Sequence, residues 1–449
     1  MDRDFVWGVA TSAYQVEGAA AEGGRAPSIW DTFCRKPGAV FNGENGDTAC
    51  DHYHRYREDI RLMSELGVGC YRFSISWPRI FPEKGRYNPE GMQFYKNVIA
   101  ELKKYNMTAA VTLYHWDIPQ WAEDLGGWEN RESVSWFTEF AEKCFENLDG
   151  DVSLWITHNE PWCASFLSYH IGEHAPGKRG LEPALRAAHH ILLSHGSAVR
   201  AYRAMHGSHK IGITLNLSPV YAETDGFADQ LARKEKDGYQ NRWFLEPLFC
   251  ETYPADMAAL FAARCGTRFD FIQPGDFACI AEPIDFLGLN FYSRCYVNYD
   301  PSDELLAGNP VSRMKKTRMD WDVCPETMED LVREIRGYTA LPIYITENGS
   351  AWDDKVENGR VHDPERVDYL RRHLEEIETL NRKGLGIRGY FCWSFMDNFE
   401  WAHGYSKRFG IVYVDYADQR RIPKDSFYAY RDCIKSFRGE KAAARLTGE

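Results

Sequence analysis

Short runs of apolar, β-branched and aromatic residues recur along the chain, and stretches with helical periodicity separate them. This alternation predicts strands joined by helical crossovers, and hence a parallel sheet. In the stretch 365–382, apolar side chains recur every three or four positions, which is typical of a helix with one buried face. The apolar runs lie at 5–10, 68–74, 109–114, 152–157, 211–216, 285–290, 341–346 and 388–393. Eight parallel strands close a barrel, so the pattern predicts the α/β class and a (β/α)8 TIM barrel.

The length of 449 residues is compatible with one barrel. Length alone suggests about three domains, but α/β barrels with long loops can exceed about 400 residues as one domain. No linker rich in Pro, Ser or Gly and no break in composition divides the sequence. We therefore predict a single domain over residues 1–449, in which long loops after the strands form the pocket.

The charge balance disfavours a nucleic-acid partner, because 53 Lys and Arg stand against 66 Asp and Glu, a formal net charge of −13. The one basic cluster, at 313–318, lies in a polar stretch and is interpreted as a solvated loop. The chain starts without a charged-then-apolar signal segment, and no stretch approaches ~18 apolar residues. We therefore expect a soluble, cytoplasmic protein without a membrane partner.

Cysteine and histidine spacing gives little support for disulfides or a metal. The twelve cysteines include no Cys-x-x-Cys pair, which favours reduced thiols. No His-Glu-x-x-His motif is present, and we expect neither a metal nor a cofactor. The segment 384–389 matches a dinucleotide-binding glycine pattern, but it follows a helix-like stretch and precedes a strand-like run. This is the reverse of the required order, so we interpret it as the end of a helix.

Two carboxylates stand at the ends of apolar runs. Glu160 lies in Thr-His-Asn-Glu-Pro at 157–161, and Glu347 lies in Ile-Thr-Glu-Asn-Gly at 345–349. Pro and Asn-Gly terminate strands, which leaves each glutamate near the barrel mouth. Either motif alone is typical of an ordinary carboxylate at a strand end. Together, one protonated and one ionised carboxyl group in one pocket can cleave a glycosidic bond.

Further polar and aromatic residues stand at or just beyond the predicted strand ends: Gln15, Arg72, His115, Asn159, Asn216, Asn290, Tyr292, Trp393, Glu400 and Trp401. In a barrel of this type the C-terminal ends of the strands face the active site. Loops are polar for general reasons, which explains any one of these positions equally well. Together with Glu160 and Glu347, these residues account for all eight predicted strand ends, which favours one shared pocket.

At these residues the sequence resembles family 1 of the glycoside hydrolases, the retaining β-glucosidases and β-galactosidases with a (β/α)8 barrel. The resemblance covers nearly the whole chain, and ordered motifs carry it at 5–8, 12–18, 71–79, 113–117, 157–161, 345–349, 393–395 and 404–410. It implies that Glu160 occupies the acid/base position and Glu347 the nucleophile position. It also implies that Arg72 and the Tyr292 hydroxyl support the nucleophile.

The resemblance further implies which residues bind the substrate. Amides, an imidazole and carboxylates bind sugar hydroxyls, while an indole face takes the C–H face of a pyranose. The Trp393 ring corresponds to the stacking platform, Phe409 lies nearby, and Trp321 walls the aglycone subsite with Trp162 and Cys163 close by. The remaining substrate-binding positions are filled by Gln15, His115, Asn159, Asn290, Tyr292, Glu400 and Trp401.

Comparison with branches of the family refines what we expect of the general acid and of the substrate. The thioglucosidase branch has glutamine at the position of Glu160, so this chain should keep its own general acid. The phospho-β-glycosidase branch usually has serine at the position of Glu400, and an anion there disfavours a 6-phosphate. His158 replaces the apolar residue more common in the first catalytic motif, and we expect it to face away from the pocket.

The resemblance implies a retaining β-glycosidase that releases terminal β-D-glucosyl residues from small β-glucosides and oligosaccharides such as cellobiose. A β-galactosidase, a β-fucosidase and a 6-phospho-β-glucosidase of the same family are alternatives. A sugar-binding barrel without turnover is another, although such proteins usually lose one acid. A third alternative is a metal-dependent barrel hydrolase, whose activity would be sensitive to chelators. The sequence leaves the oligomeric state open, a homo-oligomer included.

Overall fold

A computed structural model describes residues 4–439 and contains a closed barrel of eight parallel strands. Each strand pairs with its neighbours in the sequence, and the first pairs with the last. In chain order, β1–β8 are Val6–Ala10, Cys70–Ser74, Thr108–Tyr114, Val152–Asn159, Lys210–Asn216, Phe286–Asn290, Ile343–Asn348 and Ile387–Trp393. The predicted (β/α)8 fold is confirmed, as are the predicted strand positions.

Helices fill the connections between the strands. The longer ones are His52–Leu66, Pro89–Lys104, Ser133–Leu148, Leu181–Ala204, Phe227–Asp237, Trp243–Cys250, Ala255–Cys265, Met328–Arg336, Pro364–Arg382 and Asp425–Phe437. Shorter α-helices are Ala13–Val16, Ile29–Phe33, Trp77–Ile80, Gln120–Asp124 and Asp276–Ile280, and π-helices are Cys163–Ile171 and Gly238–Arg242. Single 3₁₀ turns are Phe41–Gly43, Gly127–Glu129, Asp149–Asp151, Pro325–Thr327 and Trp401–His403.

The helix Pro364–Arg382 shows how the local sequence sets an element. Proline stands at its first position, where the missing N–H costs nothing. The predicted apolar stripe is buried against the barrel, with Leu370, Leu374 and Ile377 at most 2% exposed. Gly384 follows with φ +77°, and β8 begins soon after. The interpretation of the segment 384–389 as a helix end is therefore confirmed.

Long loops after the strands build the rim of the barrel. Loops after β5 and β6 form a three-stranded sheet, and the loop after β8 continues into a hairpin. The sheet strands are Val220–Ala222, Cys295–Tyr299 and Ala307–Gly308, the hairpin strands are Val412–Asp415 and Arg420–Pro423, and a smaller ribbon pairs Val356–Glu357 with Arg360–Val361. These additions surround only the C-terminal mouth of the barrel, where the site lies.

Two findings bear on the expectations from composition. Among residues 4–439, no helix has the length and apolar character needed to cross a membrane. Arg313, Lys315 and Arg318 of the basic cluster are exposed in a loop. The predicted domain also includes residues 1–3 and 440–449, which lie outside the described residues.

Candidate active site

A cavity of about 430 Å³ lies at the C-terminal ends of the barrel strands. This volume is within the range of about 300–1,000 Å³ that small-molecule sites occupy. Three predicted site residues, Gln15, Arg72 and Asn159, are buried but do not line the cavity. The other predicted site residues all line it: His115, Glu160, Asn290, Tyr292, Trp321, Glu347, Trp393, Glu400, Trp401 and Phe409.

Glu347 lies near the end of β7 and is held by two donors. Arg72 donates from Nη1 to Glu347 Oε1 at 2.6 Å, and the Tyr292 hydroxyl donates to Oε2 at 2.7 Å. Arg72 is fully buried and also donates to the carbonyl of Thr346 at 3.0 Å. Both carboxylate oxygens therefore have donors that favour the ionised form.

A glycine two residues later lets the chain leave the strand. A Cβ atom at Gly349 would lie 1.6 Å from the carbonyl oxygen of Trp393 at the end of β8. Only glycine permits this close approach of two backbones. The Asn-Gly pair after Glu347 thus fixes the spacing between the end of β7 and the end of β8.

Glu160 directly follows β4 and has a left-handed backbone, with φ +50°. This conformation is uncommon for a residue with a side chain. Its N–H donates to the carbonyl of Thr214 on β5 at 2.9 Å, which anchors the turn. Its carboxyl group accepts from Asn290 Nδ2 at 2.6 Å and from the Cys163 thiol at 3.0 Å.

The two carboxyl groups have different electrostatic surroundings. Burial raises the pKa of Glu160 to about 8, and the negative charge of Glu347 adds to this rise. Burial also raises the pKa of Glu347, but the charge of Arg72 and the Tyr292 hydroxyl oppose that rise. We therefore assign the first proton lost to Glu347, which leaves Glu160 protonated near neutral pH.

An amide network joins the two carboxyl groups. Asn159 Oδ1 accepts from Arg72 Nη2 at 2.6 Å and from Asn290 Nδ2 at 3.0 Å. Asn159 Nδ2 lies 3.2 Å from His115 Nε2. Burial, with the charge of Arg72, lowers the pKa of His115, so its imidazole is neutral. The network leaves Asn159 and Arg72 behind the cavity wall and fixes the orientation of Asn290.

Two groups of aromatic rings line the cavity. The His115 ring lies nearly parallel to that of Trp393, with centroids 5.7 Å apart, and to that of Trp401 at 6.0 Å. Trp321 and Phe409 form the second group, with their ring centroids 6.1 Å apart. Flat apolar faces beside carboxylates and amides suit a sugar ring, which has C–H faces and hydroxyl edges.

Glu400 enters the cavity from the loop after β8. Its Oε2 atom is buried and has no hydrogen-bond partner in the described part of the chain. Burial and the charges of Glu347 and Glu160 raise the pKa of Glu400 to about 8. Gln15 holds the adjacent backbone, because its Nε2 donates to the carbonyl of Phe399 at 2.9 Å. Gln15 thus contacts the loop that carries Glu400, and its predicted contact with substrate stays a prediction.

Several cavity residues were not identified from the sequence, namely Glu173, His174, Gln240, Arg294 and His403. Gln240 lies in the π-helix Gly238–Arg242, His403 ends the 3₁₀ turn Trp401–His403, and the other three lie in loops. No motif marks any of them. Trp162 and Cys163 line the cavity as expected. The His158 side chain faces away from the cavity, as expected, because its Nε2 lies 2.8 Å from Ser194 Oγ and its ring stacks on Phe137.

Metal ligands are a separate question. Within residues 4–439, no group of three or more His, Cys, Asp and Glu side chains is arranged to hold a metal ion. The geometry therefore assigns no residue a ligand role.

The fold and the cavity define a class of enzyme. A barrel mouth with indole faces and two buried carboxyl groups, one held ionised and one protonated, is the arrangement of a glycosidase. Residues 1–438 match the sequence model of glycosyl hydrolase family 1. The chain belongs to this family, and it is a glycosidase.

Relatives with a full-length match support this assignment. β-Glucosidase A of Acetivibrio thermocellus is 43% identical over 440 residues, which cover 97% of this chain and 98% of the relative. A bifunctional β-D-glucosidase/β-D-fucosidase of Bifidobacterium breve is 43% identical over 457 residues, covering 96% of this chain and 97% of the relative. The crystal structure of a β-glucosidase from Exiguobacterium marinum superposes with a TM-score of 0.96 at 56% identity and covers 99% of both chains.

Proposed function

We propose that the protein is a retaining β-glucosidase that releases terminal β-D-glucosyl residues from small β-glucosides and short oligosaccharides such as cellobiose. The observation that carries the proposal is the unequal environment of two carboxyl groups in one cavity. Glu347 accepts from Arg72 and Tyr292, whereas Glu160 accepts from a neutral amide and a thiol. The relatives named β-glucosidase support the choice of sugar.

In the first step, the ionised Glu347 attacks the anomeric carbon. The bond between that carbon and the glycosidic oxygen breaks, and Glu160 gives its proton to the departing oxygen. A covalent glycosyl-enzyme forms, and the ion pair of Arg72 with Glu347 weakens as the carboxylate loses its charge. Burial of both carboxyl groups strengthens these electrostatic effects, because little water screens them.

In the second step, Glu160 acts as a base. It takes a proton from a water molecule, whose oxygen attacks the anomeric carbon and releases the sugar from Glu347. Two inversions give net retention of the β configuration. This mechanism calls for carboxyl groups about 5–5.5 Å apart. Strand pairing of Glu347 with Asn290, whose side chain reaches Glu160, supports such a short separation.

Recognition of the sugar is assigned to the wall around the carboxyl groups. We propose that Trp393 stacks on the pyranose with Phe409 nearby, that Trp321 faces the aglycone, and that the remaining residues bind hydroxyl groups. Support comes from their chemistry and their place in or behind the cavity wall. The hydroxyl-binding set is Gln15, His115, Asn159, Asn290, Tyr292, Glu400 and Trp401.

A specific observation favours a second activity on β-fucosides or β-galactosides. The Bifidobacterium breve relative is named for two sugars, and O4 epimers would meet the same Glu400 and Trp401 here. A 6-phosphoglucoside is disfavoured, because Glu400 would repel the phosphate.

A cytoplasmic location is also proposed, since all twelve cysteines are free thiols. A homo-oligomer stays an untested proposal.

The test is a panel of aryl β-glycosides together with cellobiose, compared by kcat/KM. We expect β-glucosides to be hydrolysed, with retention seen as initial release of the β-anomer by NMR. A Glu347→Gln variant is the matched control, since it keeps the size of the side chain and removes the nucleophile. Initial release of the α-anomer, or turnover that survives Glu347→Gln, would contradict the proposal.

A further inference from the structure

A cluster of buried charges lies beside the cavity, between the loops that follow β7 and β8. We call it the loop-anchor cluster, and it balances three carboxylates against three cations. Five of the six side chains are at most 2% exposed, and the sixth, Arg408, is 17% exposed. Its members are Asp354, Asp363, Arg366, Asp397, Arg408 and Lys424.

Lys424 bridges the two loops. Its Nζ donates to Asp397 Oδ1 at 2.7 Å, and it also donates to Asp354. Asp354 belongs to the loop after β7, the strand that carries Glu347, and Asp397 belongs to the loop after β8. Lys424 itself lies after the hairpin strand Arg420–Pro423 and has no exposed surface. A single buried ammonium group therefore connects three segments.

Asp397 closes the loop that enters the cavity. Its Oδ1 accepts the N–H of Gly410 at 3.0 Å, and its Oδ2 accepts from Arg408 Nη1 at 2.7 Å. Asp397 and Gly410 are thus joined at the base of the segment 397–410. We call this segment the recognition loop, because it carries four residues of the cavity wall, Glu400, Trp401, His403 and Phe409.

Removal of the bridging ammonium group of Lys424 would disturb the base of the recognition loop. Asp397 and Asp354 would keep their charges and lose their shared cation, which leaves the cluster with one excess negative charge. Breaking one partner of a buried ion pair is strongly unfavourable, because the other charge stays buried without compensation. The adjustment open to the structure is movement of the Asp397 end of the recognition loop, three residues before Glu400.

We propose that Lys424 is a positioning residue for recognition of the sugar's outer hydroxyl groups and acts through Asp397 on Glu400. The inference rests on the proposed function, in which Glu400 binds the hydroxyl groups at the C6 end of a glucoside. Lys424 does not touch the cavity. Its effect should therefore appear in the choice of substrate.

The experiment compares an aryl β-glucoside with the matching β-xyloside, which lacks the hydroxymethyl group. For Lys424→Met we expect the ratio of kcat/KM between glucoside and xyloside to fall about 10-fold or more, since small misplacements of binding groups are costly. In a Glu400→Ala background the same substitution should leave the ratio unchanged. Lys424→Arg keeps the charge and should recover part of the ratio.

Arg421→Met is the matched control. Arg421 lies on the hairpin strand that precedes Lys424, and its side chain is 2% exposed. Its carboxylate partner is Asp59 on the helix His52–Leu66, and it reaches the recognition loop indirectly, through the Cys50 carbonyl. It should lower the melting temperature and leave the substrate ratio unchanged. If Lys424→Met does not fold, the double variant Lys424→Met with Asp354→Asn restores the charge balance. It should show a lowered ratio, because Asp397 Oδ1 still lacks the ammonium group that it contacts in the unmodified protein.

The outcomes separate the two proposals. An equal loss on both substrates in folded Lys424 variants, while Glu400→Ala lowers the ratio, overturns the inference and leaves the proposed function intact. An unchanged ratio in Glu400→Ala alone overturns the assignment of Glu400 and the inference with it. A reduced ratio in Lys424→Met that persists in the Glu400→Ala background also overturns the inference, because Lys424 would then act elsewhere.

Discussion

Arg72 Nη1 lies 2.6 Å from Glu347 Oε1, and both side chains are buried. In the described part of the chain no salt bridge reaches Glu160, which accepts from the Asn290 amide and the Cys163 thiol instead. The guanidinium stabilises the ionised form of Glu347, while burial and the nearby negative charge stabilise the protonated form of Glu160. In the proposed mechanism, this asymmetry makes Glu347 the nucleophile and Glu160 the acid.

The pH dependence of kcat/KM should therefore be bell-shaped. The proposed mechanism requires ionised Glu347 and protonated Glu160, and the pKa of Glu160 is raised to about 8, so we expect the alkaline limb near pH 8. With a dinitrophenyl glucoside, whose leaving group needs no proton, Glu160→Gln should lose that limb. Retention of the full bell by a folded Glu160→Gln variant would show that Glu160 is not the acid.

Replacement of the two glutamates by alanine should give different defects. Glu347→Ala should be inactive toward every glycoside, because no covalent intermediate can form. Glu160→Ala keeps its nucleophile and, with a good leaving group, should show a rapid burst followed by slow turnover. Stopped-flow measurement of the released phenolate would detect both phases.

Azide provides the control for these roles, since it attacks without losing a proton. It should accelerate the second step of Glu160→Ala and yield the β-glycosyl azide. With Glu347→Ala, any azide product should have the inverted α configuration, as determined by NMR. Formation of the α product by Glu160→Ala would exchange the two assignments.

Substitution of Glu400 by serine should weaken recognition of the sugar. At pH 8 and above, where the Glu400 carboxyl group is ionised, the sugar hydroxyl groups would lose a charged partner worth roughly 1.5–3 kcal/mol, with a further loss where that contact strengthens in the transition state. We expect kcat/KM on plain glucosides to fall by about 10²-fold or more. Relative activity on 6-phosphoglucosides should rise, because a negative charge is removed. An unchanged ratio between the two substrates would place Glu400 away from C6.

Cys163 should influence the pKa of Glu160, the proposed general acid. Its thiol donates to Glu160 and lowers the pKa of that carboxyl group, against the larger effect of burial. In Cys163→Val the donor is absent, so the pKa of Glu160 should rise and the alkaline limb of kcat/KM should move to higher pH. Cys163→Ser retains a hydroxyl donor and should stay closer to the unmodified enzyme. Equal displacement of the limb in both variants would rule out the hydrogen bond as the cause.

Ionisation of Glu400 should destabilise the folded state at alkaline pH. Its pKa is raised to about 8 from an ordinary value of 4.5, so the folded state binds the proton more tightly than the unfolded state. The raised pKa therefore contributes to the free energy of unfolding. This contribution is fully present below pH 4.5 and is lost as the pH rises through about 8. Glu400→Gln should therefore lose less stability than the unmodified enzyme between pH 5 and pH 9, by roughly 1 °C or more in Tm.

Differential scanning calorimetry across this pH range provides the measurement. A substitution of the exposed Glu142 by glutamine is the control and should leave the pH dependence unchanged. If Glu400→Gln followed the unmodified enzyme at every pH, the carboxyl group would not be destabilised by its neighbours in the folded state.

The sequence by itself determined the strands and the positions of the two glutamates. Strand ends depend on local chemistry, such as the Pro after Glu160 and the Asn-Gly after Glu347, and the alternation of apolar runs with helical stretches predicted how the strands pair. The same local signals identified the segment 384–389 as a helix end. These features depend on residues close together in the chain, so they can be read without coordinates.

The tertiary structure decided which side chains reach the cavity and which support it. Gln15 and Asn159 were predicted from motifs, yet their side chains are engaged behind the wall with Phe399 and Arg72. Contacts between residues distant in sequence, such as that of Lys424 with Asp397, arise only when separate loops pack together. Their geometry depends on closure of the whole barrel, because burial and charge pairing are set by what the rest of the chain places around each group.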